Sequence, residues 1–359
     1  MPLYVDLHYI YSDNFTHEDA FRAHLADLNV QDKFGVTHKK FWVNFEQKTL
    51  FCLVEGPDKE ACNAAHQMAH MDHACNIIEV SNEEFVSFLG IGKKNRHDMA
   101  LTLSGKIDSG YRTIFMLRAV DIRSEHSEYS KGINKIINQF SGTTVPHPDQ
   151  NILASFIHAT NAVECALAIL GFLKSLSNSI DYSMALVTGR PVDDEGTVLF
   201  EEAKNKAQYL CQMGVSQSIY LDEETKVLVQ KESYASDLDY SAFKIMNKDD
   251  FRFAEALFKI IDGKVNHPDF KSDLLGRNLG FSKAQAYRKI KALTGMSPNT
   301  LIREIRLRKS LNALKSYKTV AEIAYQNGFN SPTYFTRMFR KRFGILPTAF
   351  AKLSTPSTV

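Results

Sequence analysis

The sequence is poor in features that cross-link a chain or anchor it in a membrane. Its five cysteines are odd in number and contain no C-x-x-C pair, so they indicate neither a disulfide framework nor a zinc knuckle. No apolar run approaches the roughly 20 residues of a spanning helix. The N-terminus also lacks the basic and apolar regions of a signal peptide. We therefore expect a cytoplasmic protein with reduced thiols and no membrane segment.

Acidic residues are scarce in one part of the chain only. Residues 270–352 contain 17 Lys or Arg against the three acids Asp273, Glu304 and Glu322, a local net charge of +14. The whole chain of 359 residues is only +2, so the remainder carries −12. Positive charge confined to one region is the pattern that binding to nucleic-acid phosphates favours.

The end of this basic region has a helix-turn-helix pattern. Val320, Ile323 and Ala324 recur at helical spacing, and Gly328 supplies the left-handed residue that ends a helix. A second helix then begins near Pro332. Its apolar residues fall on one face, at Phe335, Met338, Phe339 and Phe343. The opposite, polar face is predicted to be free for a partner.

A matching unit precedes it. Leu274, Leu275 and Leu279 predict a short helix ended by Gly280, and Ser282 caps a basic helix that runs to about residue 294. Residues 298–316 are predicted to form a connecting helix, with its arginines outward. A rigid connector would hold two recognition helices in major-groove segments roughly 34 Å apart.

These motifs resemble the DNA-binding domain of AraC-type transcription regulators over about residues 250–353. The motifs that carry the resemblance are Gly280-Phe281-Ser282, Tyr287-Arg288-Lys289, Leu293-Thr294-Gly295-Met296-Ser297-Pro298, Glu322-Ile323-Ala324, Gly328-Phe329, Tyr334-Phe335, Phe343-Gly344 and Pro347. In that family two recognition helices enter adjacent major grooves. The resemblance implies that DNA bases are read by Ala284, Tyr287, Arg288, Pro332, Thr333, Thr336 and Arg337.

Two of these positions offer no hydrogen bond to a base. Ala284 has only a methyl group and Pro332 only a ring, so we expect Arg288, Thr333 and Arg337 to discriminate between bases. The alternatives for the two arginines are a phosphate clamp or an ion pair within the domain. Contacts to phosphate or solvent are expected for Arg306, Arg308, Arg340, Lys341 and Arg342.

The N-terminal piece alternates between strand and helix patterns. Strands are predicted at residues 3–7, 40–45, 50–55 and 76–80, and helices at 16–29 and 59–73. The order βαββαβ is the ferredoxin-like arrangement.

Histidines on this piece are spaced for a metal. His66 and His70 are four residues apart on the second helix, so both imidazoles project from one face, and His8 ends the first strand. Imidazole with carboxylate suits zinc, nickel or copper. The alternative is a solvated helix face, because this spacing lacks the glutamate of H-E-x-x-H.

The same piece resembles a small family of nickel-binding ferredoxin-like proteins over nearly all of residues 1–80. The resemblance is carried by residues 4–8, 23–28, 31–36, 51–58 and 77–80, together with His66 and His70. It implies the same fold and nickel or another transition metal as a ligand, with His8, His66 and His70 as the expected ligating residues.

The middle piece resembles the class III nucleotide cyclase fold. The resemblance rests on its strand and helix layout and on Asp121-Ile122, Asp149, Thr188-Gly189 and Asn205. Such cyclases hold two metals with two carboxylates and use an asparagine and an arginine on the substrate. The resemblance implies a degenerate site at Asp121, Asp149 and Asn205.

Two departures argue against catalysis in the middle piece. Tyr209 occupies the arginine position, and Arg123-Ser124 replaces the glycine after the first aspartate. We expect a pseudo-cyclase that dimerises or binds a nucleotide-like ligand.

The predicted architecture is an α+β multidomain protein. It has a ferredoxin-like domain at residues 1–85, a linker at 86–107, a cyclase-like α/β domain at 108–235 and an all-α tandem helix-turn-helix domain at 245–355. The predicted function is a sequence-specific transcription regulator, not an enzyme. We expect a homodimer that binds double-stranded DNA under the control of nickel or a small effector. The alternatives are a nucleotide cyclase fused to a DNA-binding module and a metal buffer.

Overall fold

The structure, a computed structural model, describes most of the chain. The described ranges are residues 1–71, 74–126, 128–147, 151–176, 179–213, 217–232, 238–316 and 318–354. Within them the strands form sheets of four, six and two strands. None of the described helices is both long and apolar enough to span a membrane.

The N-terminal domain has the predicted βαββαβ order. Its elements are β1 (Leu3–Tyr9), α1 (His17–Phe34), β2 (Thr37–Asn44), β3 (Thr49–Glu55), α2 (Lys59–His70) and β4 (Asn76–Val80). The sheet order β2-β3-β1-β4 is antiparallel throughout and confirms the ferredoxin-like prediction. Helix α1 is longer than predicted, because it ends only where Gly35 adopts a left-handed φ of 64°.

The segment predicted as a linker carries structure of its own. It includes the end of α3 (Asn82–Leu89) and the two-stranded sheet of β5 (Lys93–Lys94) and β6 (Ala100–Leu101). The guanidinium group of Arg112, which is 1% exposed, donates hydrogen bonds to the carbonyls of Phe88 and Leu89 and to the Asp108 carboxylate. These bonds fasten the segment to the edge of the middle domain.

The middle domain is built on the six-stranded sheet, in the order β12-β11-β10-β7-β9-β8. Its elements are β7 (Arg112–Asp121), α4 (Tyr129–Gln139), β8 (Thr143–Val145), β9 (Ile152–Phe156), α5 (Ala159–Ser175), β10 (Ile180–Gly189), α6 (Glu201–Met213), β11 (Ser218–Asp222), α7 (Glu223–Glu232) and β12 (Phe243–Met246). Strand β12 pairs parallel with β11, so the sheet extends across the interval between the two predicted domains.

Both faces of this sheet are covered in the described part of the chain. Phe115 and Leu117 face the hydrophobic cluster made with α4 and α5. Ile114 and Met116 face the opposite cluster, which includes α3 and α6. This alternation follows from the two-residue period of a strand.

The C-terminal domain is all helical, as predicted. Its helices are α8 (Lys248–Lys264), α9 (Ser272–Asn278), α10 (Lys283–Thr294), α11 (Pro298–Ala313), α12 (Val320–Gln326), α13 (Pro332–Phe343) and α14 (Pro347–Ser354). The first helix-turn-helix is α9 with α10, the second is α12 with α13, and α11 connects them. One hydrophobic cluster joins all three domains and includes Leu53, Ile114, Leu257 and Ile290.

A buried ion network ties the C-terminal domain to the middle sheet. Asp181 on β10 is 4% exposed. Its carboxylate lies 3.2 Å from Nη1 of Arg118, 3.7 Å from Nε of Arg308 on α11 and 2.5 Å from Nη2 of Arg342 on α13. Glu304 accepts a hydrogen bond from Nε of Arg342 at 2.8 Å and lies 3.1 Å from Nε of Arg308. The network therefore joins the connector and the second recognition helix to one strand.

The expectation that Arg308 and Arg342 face phosphate or solvent is therefore wrong. Both guanidinium groups bind carboxylates inside the protein, and the Arg308 side chain is 4% exposed. The outward orientation predicted for Arg306 is also wrong in part, because it donates hydrogen bonds to the carbonyls of Val265 and His267. The pattern on the connecting helix alone did not reveal these acceptors.

The charge of Asp181 is stabilised by its partners. Burial alone would raise the pKa of this carboxyl, but Arg308, Arg342 and Arg118 outweigh that effect and hold the pKa below its ordinary value. The contribution of the network to stability is therefore present at neutral pH, and it is lost as the pH falls below about 4.

We predict that Asp181→Asn loosens the C-terminal domain. Removing one partner of a buried ion pair costs about 3–5 kcal/mol, because the remaining charges stay buried without compensation. Amide hydrogen exchange in α11 and α13 should become at least about tenfold faster. Glu128→Gln is the control, because that carboxylate is 71% exposed. Unchanged exchange in both helices would show that the network does not hold the domain in place.

Candidate metal centre and nucleic-acid interface

The first recognition helix, α10, is capped and amphipathic. The Ser282 hydroxyl accepts a hydrogen bond from the Gln285 backbone N–H, and Oε1 of Gln285 accepts one from the Ser282 backbone N–H. The helix buries Ala286 and Ile290 in the core. Its opposite face is exposed, including the predicted DNA-reading residues Ala284, Tyr287 and Arg288.

The second recognition helix, α13, follows the same plan. Ser331 caps it, Pro332 occupies its first turn, and it buries Phe335, Phe339 and Phe343. The turn before it contains Gly328 at a φ of 77°.

All six residues predicted to contact DNA on α13 lie around one groove. The groove has a volume of about 760 Å³ and is lined by Pro332, Thr333, Thr336, Arg337, Arg340, Lys341 and Leu346. Arg337 lies over the ring of Tyr334 at 5.4 Å, which orients its guanidinium group. Two hydroxyls and three cations on one groove can donate hydrogen bonds to base edges and phosphates.

The predicted metal ligands lie between the N-terminal sheet and its two helices. The rings of His8 and His66 stack with centroids 4.1 Å apart, and those of His66 and His70 are 4.5 Å apart. The structure therefore brings the three predicted histidines together. It also places beside them residues that the sequence analysis did not select as ligands.

Asp27 on α1 is the carboxylate at the centre of this cluster. Its Oδ1 accepts a hydrogen bond from Nε2 of His70 at 2.9 Å and lies 3.7 Å from Nδ1 of His66. The ligand atoms of Asp27, His66 and His70 all lie within 4.8 Å of one another. Burial alone would raise the pKa of Asp27, but its bonds to His66 and His70 hold it well below the usual range.

His8 is paired with a second carboxylate. Its Nε2 lies 3.0 Å from Oδ1 of Asp6, which also accepts a hydrogen bond from the Cys52 backbone at 2.7 Å. Burial opposes ionisation of Asp6, but His8 and His66 keep the pKa of this carboxyl below its ordinary value. His8 thus contacts the Asp27 group through ring stacking on His66.

Two further histidines complete the cluster. His24 on α1 is 3% exposed and His38 on β2 is 7% exposed. Their ligand atoms lie within 4.8 Å of a carboxylate oxygen of Asp27. Imidazole and carboxylate donors of this kind suit nickel, zinc or copper.

Two of the predicted cyclase residues, Asp121 and Asn205, do not meet within the described part of the chain. Asp121 pairs with Ile180 at one end of the β7–β10 ladder, whereas Asn205 lies on α6 two residues after Ala203, which packs against Gly189 at the other end. Asp149 lies outside the described residues. The ring of Tyr209 packs against that of Phe258 on α8, with centroids 4.7 Å apart.

A cavity of about 990 Å³ opens where the three domains meet. Its lining includes Asn44 from the N-terminal domain, Asn205 and Tyr209 from the middle domain, and Phe251 from α8. Its size is at the upper end of the range typical of small-molecule sites.

Two parts of the chain match known protein families. Residues 275–353 match the family described as a helix-turn-helix domain, and residues 4–80 match the family described as nickel responsive protein SCO4226-like.

The curated relatives share only part of their length with this chain. Histidine kinase P4 of Formosa agariphila is 34% identical over 28% of this chain and 7% of its own length. HTH-type transcriptional regulator MtrA of Neisseria gonorrhoeae is 30% identical over 29% of this chain and 34% of its own. The chain therefore spans about a third or less of these two relatives.

Solved structures resemble individual domains. SCO4226 from Streptomyces coelicolor A3(2) is 31% identical, with 22% of this chain and 94% of that chain covered and a TM-score of 0.21. The catalytic core of a rhodopsin-guanylyl cyclase is 16% identical, with 36% and 86% covered and a TM-score of 0.29.

The two family matches fall on the two predicted binding sites. The first contains both recognition helices, and the second contains His8, Asp27, His66 and His70. The C-terminal domain is therefore a helix-turn-helix domain of the AraC type, and the N-terminal domain matches the family described as nickel responsive protein SCO4226-like.

Proposed function

We propose that the protein is a sequence-specific DNA-binding transcription regulator that responds to a transition metal. The observation that carries this proposal is the groove on α13, where six residues assigned to DNA contact lie together above a buried aromatic face. The net charge of +14 on residues 270–352 supports it, because a local positive field attracts the phosphate backbone. A cytoplasmic location, where the DNA is, follows from the same proposal.

In this proposal α13 reads bases in one major-groove segment of the DNA, and α10 contacts the adjacent major-groove segment. Arg337 is exposed and is oriented by Tyr334, so its guanidinium group can reach a guanine. Arg340 and Lys341 lie one turn further along the same groove and suit phosphates. Arg342, by contrast, is bound to Asp181 and Glu304 and positions the helix from behind.

Arg337→Ala should weaken binding to the preferred DNA site by about 1–3 kcal/mol, because one bidentate contact to a base is lost. Fluorescence anisotropy at fixed salt measures the affinity for DNA upstream of the protein's own reading frame and for a scrambled duplex. Arg252→Ala is the matched control, since that arginine is 81% exposed on α8.

The comparison of the two duplexes distinguishes the roles of Arg337. A larger loss on the preferred site assigns base reading to this side chain. An equal loss on both duplexes would make it a phosphate contact, and no loss on either would remove it from the interface.

The metal proposal rests on the cluster around Asp27. We propose that Asp27, His66 and His70 hold nickel or a related divalent metal, with His8 beside them. Three side chains of the right chemistry already converge there in the structure. The match of residues 4–80 to a nickel-responsive family supports nickel in particular.

A path from this metal centre to the middle domain supports regulation. Tyr9 follows His8 in the sequence, and its hydroxyl donates a hydrogen bond to Asp194 at 2.6 Å and accepts one from Arg190 at 2.6 Å. From the middle domain, the Asp181 network reaches α13. We propose that metal binding at Asp27, His66 and His70, next to His8, shifts this chain of contacts and so changes DNA affinity.

The double variant His66→Ala/His70→Ala should lose the nickel bound at this site, because it removes two of the three proposed donors of the site, Asp27, His66 and His70. Isothermal titration calorimetry of the full chain should show that the nickel affinity of this site falls by at least about a hundredfold. His17→Ala is the control, because that histidine is exposed at the start of α1. Unchanged nickel affinity in the double variant would reject this site.

We also propose that the middle domain is not a catalyst. Tyr209, at the position where the resemblance expects an arginine, packs against Phe258. The homodimer remains a prediction. Because both faces of the middle sheet are covered in the described residues, such a dimer would form through another surface.

No cyclic nucleotide should form when the full chain is incubated with ATP or GTP and magnesium or manganese. The reason is that Tyr209 stands where a cyclase has an arginine, so no positive charge from that position stabilises the transition state. Product detection by mass spectrometry provides the measurement, and turnover above a heat-denatured sample would restore the cyclase alternative.

A further inference from the structure

His24 and His38 are buried beside Asp27 and form a second group of candidate ligands with it. Helix α1 contributes His24 and Asp27, which are three residues apart and therefore share a face. Strand β2 contributes His38 against that face. The ligand atoms of these three residues lie within 4.8 Å of one another, as a group separate from that of Asp27 with His66 and His70.

The polar atoms of these two rings are not satisfied within the described chain. Nδ1 of His24 and both ring nitrogens of His38 are buried and have no hydrogen-bond partner there. Native proteins rarely leave buried polar atoms in this state, because an unmade hydrogen bond in the interior costs about 1–3 kcal/mol. One ring nitrogen from each histidine lies within 4.8 Å of a carboxylate oxygen of Asp27. A neutral imidazole carries one lone pair in the plane of its ring, so this arrangement suits a cation that accepts lone pairs from both rings.

The remaining contacts suit a metal better than a water molecule. The second nitrogen of His24, Nε2, lies 3.3 Å from the Asp98 carboxylate. A histidine that donates one N–H to a carboxylate presents its other nitrogen as a fixed, more basic ligand, as in carboxylate–histidine–metal triads.

We propose that the N-terminal domain binds a second divalent transition metal at His24, His38 and Asp27, and that the Asp27 carboxylate bridges the two metal positions. This inference rests on the proposed metal function of the domain, since Asp27 belongs to both groups. It adds ligands that were not selected from the sequence, and it makes the centre a pair of sites with one shared carboxylate.

The number of metal ions bound by the full-length chain tests the proposal. After equilibrium dialysis against Ni²⁺ and removal of weakly bound metal, elemental analysis should give two nickel ions per wild-type chain. His38→Ala should bind one nickel ion, at the site of His66 and His70. His66→Ala/His70→Ala should also bind one, at the site of His24 and His38. His17→Ala should retain both, because it changes an exposed imidazole outside the cluster.

A second variant tests the same site, so that the result does not depend on whether His38→Ala folds. Asp98→Asn leaves all three proposed ligands in place and removes only the carboxylate behind His24. It should weaken one of the two nickel sites by about 10–100-fold and leave the other unchanged. Circular dichroism and unchanged DNA affinity in chelator would show that each variant is folded.

Each other outcome has a distinct meaning. One nickel per wild-type chain that His38→Ala does not affect would overturn the second site and leave the proposed nickel site intact. One nickel that is lost in both His38→Ala and His66→Ala/His70→Ala would show a single shared centre and overturn the two-site proposal. No nickel in the wild-type chain would overturn the metal function itself.

Discussion

The placement of the DNA-binding domain depends on one buried carboxylate. Asp181 sits on the central part of the chain and receives guanidinium groups from its own sheet, from the connecting helix and from the second recognition helix. A charge in the protein interior is stable only when it is paired, and the three cations around it have the same requirement. Because Glu304 supplies the second negative charge, neither side of the interface can separate without leaving a charge uncompensated.

The same requirement explains the histidine-rich interior of the N-terminal domain. His24, His38 and Asp27 occupy space between sheet and helices that apolar side chains fill elsewhere in the domain. Buried polar side chains without a ligand lower the free energy of unfolding of the domain. A metal bound to His24, His38 and Asp27 would therefore favour the conformation that binds it. Tyr9, which follows His8 on β1, is hydrogen-bonded to Asp194 and Arg190 of the middle domain, and this contact is the proposed route out of the N-terminal domain.

Local features of the fold could be predicted from the sequence, and remote contacts could not. Both helix-turn-helix units follow from caps and glycines a few residues apart, such as Ser282 with Gln285 and the turn at Gly328. The pairing of Arg342 with Asp181 joins residues 161 positions apart, so the pattern on α13 could not reveal it. On sequence alone, Arg342 has the pattern of a phosphate contact on an amphipathic helix. In the structure its guanidinium group binds carboxylates inside the protein.

The metal cluster shows the same division. His66 and His70 could be predicted because helical spacing places them on one face. His24 and Asp27 are three residues apart on α1, so the sequence also carries a signal that these two side chains share a helix face. His38 could not be placed, because the register of β2 shifts between His38 and Lys40, and a shift of one residue decides which face a side chain occupies.

The central claim is that metal in the N-terminal domain changes the DNA affinity of the C-terminal domain. The most direct measurement is the anisotropy of DNA from upstream of the protein's own reading frame, titrated with pure protein at fixed salt, first in chelator and then in nickel. The account predicts tight binding whose affinity changes by at least about fivefold, a coupling of about 1 kcal/mol or more. Tight binding with the same affinity in chelator and in nickel would contradict it.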